Sequence, residues 1–277
     1  MPELPEMQAL AERLGGYLGG HTFTGATVLQ FSALKTFDPP IESYTGLVLD
    51  DVGRRGKYLV LSYGGPRMLI HLSQGGRVDV EDPPKRTRPK GAVARLFFDD
   101  APSVLVKEYG TQRKAGLWTL AADDDGPLAR LGPEPFSDEF AELVMTTTEA
   151  RRIHTWLRDQ RTVAGIGRGH SDDILHRAKL SPYEKATKLD GDQRRRLLDA
   201  IRSVLEEALV KERDRTGGLP TKLAGRFTVH GRFGSPCPAC GTRLERVSYE
   251  DYEVAYCPTC QTGGKILADR RMSRLVK

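Results

Sequence analysis

The spacing of apolar residues divides the chain. Over residues 4–18, Leu4, Met7, Leu10, Ala11, Leu14 and Leu18 recur at three- and four-residue steps, which predicts one amphipathic helix. Pro5 suits its first turn, and Gly15-Gly16 and Gly19-Gly20 mark its end. From 22 to about 120 the period falls toward two, as in KYLVLSY at 57–63, RMLIHL at 67–72 and AVARLFF at 92–98. These runs predict strands punctuated by Gly64-Gly65-Pro66 and Gly75-Gly76, and a β-sandwich as the architecture of the first half. The polar, Pro-rich run 82–91 predicts a loop, and the stretch from Asp123 to Pro135 an interdomain linker.

Beyond the linker a helical period returns. Thr148 is placed to cap a helix carrying Ile153, Trp156 and Leu157. The turn Val163–Gly167 then leads to a second helix, with Ser171 as its cap and Ile174 and Leu175 inside. Two short helices about a Gly-rich turn make a helix–turn–helix unit, which sets basic groups against phosphates, although many such hairpins bind nothing. The stripe Leu197, Leu198, Ile201, Val204, Leu205 and Leu209 predicts a core-facing helix over about 192–211.

Charge sharpens the division. The net charge is only +5, but residues 1–150 carry 16 basic and 21 acidic side chains, whereas residues 151–277 carry 26 and 16. A basic second half points to a polyanion partner, nucleic acid first; solvated basic helix faces are the alternative. No run is long and apolar enough for a membrane span, and the N-terminus lacks a charged-then-apolar signal. A cytoplasmic protein with reduced thiols is therefore expected.

The only four cysteines form two pairs, Cys237-Pro-Ala-Cys240 and Cys257-Pro-Thr-Cys260, with 16 residues between them. A two-residue gap lets both thiolates of a pair reach one ion, and two pairs complete a tetrahedral Zn²⁺ shell. Gly241 and Gly263-Gly264 suit the accompanying turns. Disulfides are the alternative, which the spacing and a reducing compartment disfavour. The expectation is a zinc ribbon with one structural Zn²⁺. Four protein ligands leave no open position for substrate, so chemistry is sought elsewhere.

The start Met1-Pro2-Glu3-Leu4-Pro5-Glu6 offers such chemistry. A small residue after the initiator predicts removal of Met1, leaving Pro2 as a secondary amine. Free α-amino groups titrate near 7.7–8.0, and a helix N-terminus disfavours further positive charge. An unprotonated amine can attack an aldehyde-like carbon and form an iminium, with Glu3 and Glu6 close enough in sequence to move protons. The alternative is that Pro and Glu merely start the helix.

Four ordered motifs then converge: MPELPE at the start, GRRGKYL at 53–59, DQRTVAGIG at 159–167 and GRFGSPCPACG…YCPTCQ over 231–261. Together they resemble the formamidopyrimidine-DNA glycosylase/endonuclease VIII (Fpg/Nei) family of base-excision repair enzymes, over essentially the whole chain. The resemblance implies an α+β fold of two domains: an N-terminal β-sandwich with a flanking helix, and a C-terminal helical domain with a helix–two-turn–helix and the zinc ribbon. The corresponding boundaries are 1–122 for the sandwich, 123–136 for the linker, 137–225 for the helical part and 226–277 for the ribbon. It also implies a bifunctional glycosylase and lyase working as a monomer on damaged duplex DNA and abasic-site DNA. Pro2 would be the nucleophile at C1′ of a flipped nucleotide, Glu3 the proton donor, Glu6 its support and Lys57 a phosphate clamp.

The chain departs from the family pattern at several of these points. Where GIGNIY is common it reads Gly165-Ile-Gly-Arg168-Gly169-His170, placing Arg168 and His170 as candidate phosphate contacts. Tyr252 stands where an arginine usually meets the lesion phosphate; with Glu250, Asp251 and Glu253 beside it, the swap predicts weaker anion binding. Gln74 and Arg113 are the candidates to fill the gap left by a flipped base, and Ala115 replaces a Phe wedge. The segment 216–225 is shorter than the loop that caps 8-oxoguanine in the formamidopyrimidine branch, so oxidised pyrimidines or abasic sites are the expected substrates. A non-catalytic binder of abasic or damaged DNA on the same scaffold is the alternative reading, and an RNA-binding zinc-ribbon protein a third.

Overall fold

The computed structural model describes residues 1–110, 114–221, 225–249 and 252–268. Two compact units emerge: residues 1–131 with 209–223, and residues 132–208 with 224–277.

The first unit opens with α1 (Leu4–Leu18), which matches the predicted span, and its apolar stripe is buried. Two four-stranded antiparallel sheets follow. One has the order β1 (Phe23–Val28), β6 (Ala92–Phe98), β7 (Ser103–Glu108), β5 (Gly76–Glu81); the other runs β2 (Asp51–Arg55), β3 (Tyr58–Ser62), β4 (Arg67–His71), β8 (Gly116–Leu120). Register explains why the sandwich closes. Leu59 faces Ile70 and Leu61 faces Met68 across β3 and β4, so one face of the sheet is apolar. That face and α1 share a core with Phe23, Leu96, Val104 and Val106 of the other sheet. Within the latter, buried Arg95 pairs with Glu81 at 2.8 Å, and Ser103 donates to the same carboxylate at 3.1 Å.

Residues 209–221 are attached to this unit by several contacts, among them the Arg213–Glu12 pair and those of Arg13 and Leu219. The Arg13 guanidinium donates to the carbonyls of Glu212 and Gly217 at 2.8 and 2.9 Å. Leu219 donates to the Val78 carbonyl at 2.7 Å and buries its side chain in the sandwich core.

The second unit holds α2 (Asp138–Thr146), α3 (Ile153–Arg158), α4 (Arg168–Arg177), most of α5 (Gly191–Arg213), the hairpin β9 (Glu245–Ser248) and β10 (Glu253–Tyr256), and α6 (Pro258–Thr262). Two expected caps are corrected. Ser137 caps α2, but α3 starts at Ile153 behind Arg152 rather than at Thr148. Ser171 lies inside α4, because Gly167 in extended backbone already breaks the chain and starts the helix at Arg168. The Ser171 hydroxyl donates instead to the Gly167 carbonyl at 2.6 Å, the local back-bond typical of a helical serine. No helix among the described residues is long and apolar enough to cross a membrane.

Candidate functional site

The head of α1 brings Glu3 and Glu6 together. The Glu3 N–H donates to the Glu6 carboxylate at 2.7 Å, and the Glu3 carboxylate accepts from the Glu6 N–H, a reciprocal capping box made with Glu at both positions. Both side chains are buried, at 3% and 0% exposure, and Pro2 is buried beside them while Met1 reaches solvent. The two carboxylates therefore have fixed positions directly behind the Pro2 nitrogen in the chain. Glu6 has a structural task here as well as any chemical one.

Lys57 occupies the two-residue turn between β2 and β3, where Gly56 takes φ +55°, the left-handed value a type II′ hairpin places first. Its side chain is buried to 6% exposure and acts electrostatically on His71. Burial, reinforced by the Lys57 charge, lowers His71 to about 4, so this imidazole is neutral at physiological pH and packs on Tyr58. Gln74 is exposed at the tip of the following turn. That turn is so tight that a Cβ on Gly76 would lie 2.1 Å from the Leu72 carbonyl oxygen. Arg113, its proposed companion, lies outside the described residues.

In the second unit the four cysteine sulfurs lie within 4.8 Å of one another. The Cys240–Cys257 and Cys237–Cys260 separations are 3.5 and 4.0 Å. Zn–S bonds of about 2.3 Å in a tetrahedron require edges of roughly 3.8 Å, so this donor set fits one zinc ion. The thiols also need a cation. Thr242 lowers Cys240 to about 6, whereas burial raises Cys257 and Cys260, and adjacent thiolates cannot all ionise until a metal shares them. His176 places Nε2 3.2 Å from the Cys237 sulfur. Gln261 links the ribbon to the end of α4, accepting from the Cys257 N–H and donating to the Leu180 carbonyl at 2.8 and 2.9 Å.

Arg168 and Tyr252 also come together. The Arg168 guanidinium carbon lies 4.7 Å from the Tyr252 ring centre, and that of Arg158 lies 4.0 Å away. Tyr249 stacks on Tyr252 with centroids 4.4 Å apart and planes 10° from parallel. The Tyr249 hydroxyl accepts from Arg152 at 3.3 Å and donates to the Tyr183 hydroxyl at 3.2 Å. His170, by contrast, is buried to 1% exposure with its ring edge-on to Phe227, a position from which it supports α4 through packing. Glu253 is engaged by Arg246 at 2.8 Å, which offsets one of the charges expected to repel phosphate; Glu250 and Asp251 lie outside the described residues.

Three family models tile the chain: the formamidopyrimidine-DNA glycosylase N-terminal domain over residues 1–118, the formamidopyrimidine-DNA glycosylase H2TH domain over 131–217, and a zinc finger found in FPG and IleRS over 234–263. A formamidopyrimidine-DNA glycosylase from Heliobacterium modesticaldum is 33% identical over 94% of this chain and 100% of its own length. The chain belongs to the formamidopyrimidine-DNA glycosylase family. An uncharacterized formamidopyrimidine-DNA glycosylase-like protein from Mycobacterium tuberculosis is 47% identical over 154 residues, 53% of this chain and 94% of that protein. The crystal structure of MutM (Fpg) from Thermus thermophilus superposes with a TM-score of 0.80 at 30% identity, covering 96% of this chain and all of the other. The fold is thus the two-domain α+β architecture of Fpg proteins, and the four cysteines form its structural zinc centre.

Several residues that organise this Fpg-family chain carried no signal of their own in the sequence. Asp173 accepts from the N–H groups of Thr228, Val229 and His230 at 2.7, 2.8 and 3.2 Å. Asp172, fully buried, bonds His230 Nδ1 at 2.6 Å and the Ala255 N–H at 3.0 Å, with His154 Nε2 3.2 Å away. Two consecutive acidic residues on a short helix read as solvent-facing, and only long-range partners reveal otherwise. The Gln160 amide closes the 160–166 turn, donating to the carbonyls of Arg158 and Ile166 and accepting from the Gly165 N–H. Arg158 was visible as a further basic residue just before the DQRTVAGIG motif, but nothing in its spacing points toward Tyr252.

Proposed function

We propose that this chain is a base-excision repair DNA glycosylase with lyase activity on abasic DNA, with Pro2 as nucleophile. The observation that carries the reading is the head of α1, where Pro2 precedes two buried carboxylates, each accepting from the backbone N–H of the other residue. A capping box with Glu as the N-cap is an uncommon way to start a helix, since Ser, Thr, Asp and Asn are preferred there. It pre-organises acid–base groups next to a chain end. The family membership and the basic second half support DNA as the partner.

Once Met1 is removed, the Pro2 nitrogen lone pair attacks C1′ of a nucleotide flipped from the stack. The C1′–N bond breaks, and the damaged base leaves with its electron pair and takes up a proton. Glu3 protonates O4′ as the sugar ring opens, and loss of the amine proton leaves an iminium between Pro2 and C1′. Removal of a C2′ proton then expels the 3′ phosphate by β-elimination. A second elimination expels the 5′ phosphate, and water hydrolyses the iminium to free Pro2. Lys57 holds a phosphate near the lesion, and Gln74 with Arg113 fills the vacated stack. The zinc centre has no part in these steps; it shapes the ribbon.

The test is borohydride trapping on duplex DNA with a single abasic site. Wild-type protein yields a covalent adduct that maps to Pro2, Pro2→Gly loses it, and Glu3→Gln traps the abasic site while losing base excision. Tight binding to that duplex with no adduct, in protein shown to lack Met1, favours instead the lesion-binding alternative that Arg168 and Tyr252 suggest.

A further inference from the structure

The sheet formed by β2, β3, β4 and β8 carries a row of rings on its outer face. Leu59, Leu61, Met68, Ile70 and Leu117 turn into the core, so alternation places Tyr58, Val60, Leu69, His71 and Trp118 on the opposite face. There the Tyr58 ring centre lies 4.6 Å from that of His71 and 5.5 Å from that of Trp118. Leu69 is fully buried, whereas the three rings keep part of their surface in solvent. None of the three has a part in the chemical steps proposed above.

The row continues past β8. Leu34 bridges Leu117 in parallel and packs against the core, and the Lys35 N–H donates to the Leu117 carbonyl at 2.8 Å. Alternation then turns Lys35 and Phe37 to the outer face, where Lys35 is exposed. A Cβ on Gly116 would lie 2.8 Å from the Trp118 ring and 2.9 Å from Lys35 Cε, so only glycine lets ring and lysine stem close over β8. The Phe37 and Phe31 ring centres are 5.5 Å apart. At 58% and 74% exposure they are the two most exposed aromatic side chains among the described residues. Such contiguous apolar surface marks an interaction site rather than a solvated face.

We propose that this face is a stacking platform for unpaired bases in a single-stranded DNA flank beside the lesion, with Trp118, Phe37 and Phe31 meeting bases and Lys35 meeting the strand's phosphates. Two observations favour that occupant. The row begins at Tyr58, directly after Lys57, whose charge acts on His71, so it is continuous with the edge assigned to the lesion. Lys35 then sets a positive charge among the rings, in the half of the chain that is acidic overall. Four-stranded sheets with aromatic side chains on one face hold unpaired bases in this way, whatever the base, because every base has a π-face. Strands lie about 4.8 Å apart, so the row from Tyr58 to Phe37 spans on the order of 15 Å, room for roughly two or three bases. The proposal rests on the reading of this chain as a damaged-DNA-binding protein and names the form of DNA it takes: a lesion next to a single-strand junction.

The test uses the full zinc-loaded chain and labelled duplexes with one tetrahydrofuran abasic analogue, either blunt or carrying a 5′ or 3′ oligothymidylate overhang within one helical turn of the lesion. Affinity is followed by anisotropy. Wild-type protein should bind one overhang duplex about tenfold tighter than the blunt one, the scale of a single stacked base. Trp118→Leu and Phe37→Ser should each lose most of that gain and keep wild-type affinity for the blunt duplex, which certifies their fold. Phe37 is exposed, so its variant tests the platform without disturbing the core. Trp118→Phe, which keeps an aromatic face, should retain most of the gain. Fluorescence reads the contact directly, because the only other tryptophan, Trp156, is 1% exposed. Oligothymidylate should quench the emission of wild type and Trp156→Phe, and leave that of Trp118→Phe unchanged. Equal affinity for blunt and both overhang duplexes overturns the platform, as does a gain that survives in both Trp118→Leu and Phe37→Ser. Self-association that Phe37→Ser abolishes, with no overhang effect, assigns the rings to a second copy and overturns it too. Absence of a borohydride adduct in the wild type removes the lyase reading alone, since the platform is read from equilibrium binding.

Discussion

The sandwich of the first unit and the zinc ribbon of the second are held together by different physics. In the first, one apolar core runs from α1 through both sheets, and its members need nothing but each other. In the second, the ribbon's own apolar core is Val229, Leu244 and two of the zinc-binding cysteines, Cys237 and Cys257. A cluster that small cannot supply a stable fold, so buried carboxylates on α4 and a metal ion take over the task. The difference tracks what each unit holds. Fixed, desolvated carboxylates at the head of α1 rest on a core that does not depend on them. The cation–aromatic cluster joins that ribbon to α3 and α4, whose own apolar residues Trp156, Leu157, Ile174 and Leu175 are buried.

The largest effect that tests this contrast is metal loss. Chelation, or Cys257→Ser, should abolish hydrogen-exchange protection over residues 229–263, since zinc binding in small domains is worth about 10–16 kcal/mol. Protection across β3, β4 and α1 should persist. Simultaneous loss in both units would erase the distinction between them.

Next comes the α4 carboxylate. Asp173→Ala leaves three backbone N–H groups without their acceptor, and should cost about 3 kcal/mol or more in zinc-loaded protein by denaturant unfolding. Burial raises the Asp173 pKa against those three bonds, so asparagine, which still accepts, should restore part of the loss.

The first unit has its own pH sensitivity. His71 is held near 4 when folded and titrates near its ordinary 6.5 when unfolded. Between those values the unfolded chain binds more protons, so stability falls as pH drops from 6.5 toward 4, by on the order of 3 kcal/mol when complete. His71→Gln should flatten the profile of Tm against pH over that window. An unchanged slope would assign the acid sensitivity to another group. The smallest effect is expected at the exposed Arg177–Glu207 pair, where two 2.9 Å bonds are screened by solvent. Glu207→Gln should change stability by less than about 1 kcal/mol.

Regular periodicity was readable wherever one face of an element is buried against a neighbour. The stripe at 4–18 became α1 with the same bounds, and that at 192–211 became α5 at Gly191–Arg213. Helix starts in the second unit were less legible. Several residues there are able to cap, and only the turn closed by Gln160 selects Gly167. Of the candidate residues, the cysteines were legible because metal ligation imposes spacing. His170 read as a phosphate contact by its place in a motif, yet its ring packs against Phe227 in the interior. Gly169 shows why: a Cβ there would lie 2.1 Å from the Phe227 ring, so α4 and residue 227 approach too closely to leave His170 outside.

What the sequence determined by itself was local or chemical: the period of each element, the donor set of the zinc centre, the proline and carboxylates of the MPELPE motif, and the unequal division of charge. Each follows from residues close together in the chain or from residue type alone. Only tertiary structure decided that Leu219 joins the sandwich core, that Asp172 and Asp173 are buried acceptors, and that Arg158 and Arg168 share one tyrosine ring. Those depend on contacts between residues far apart in sequence, whose energies arise only after the chain has closed and water has been excluded.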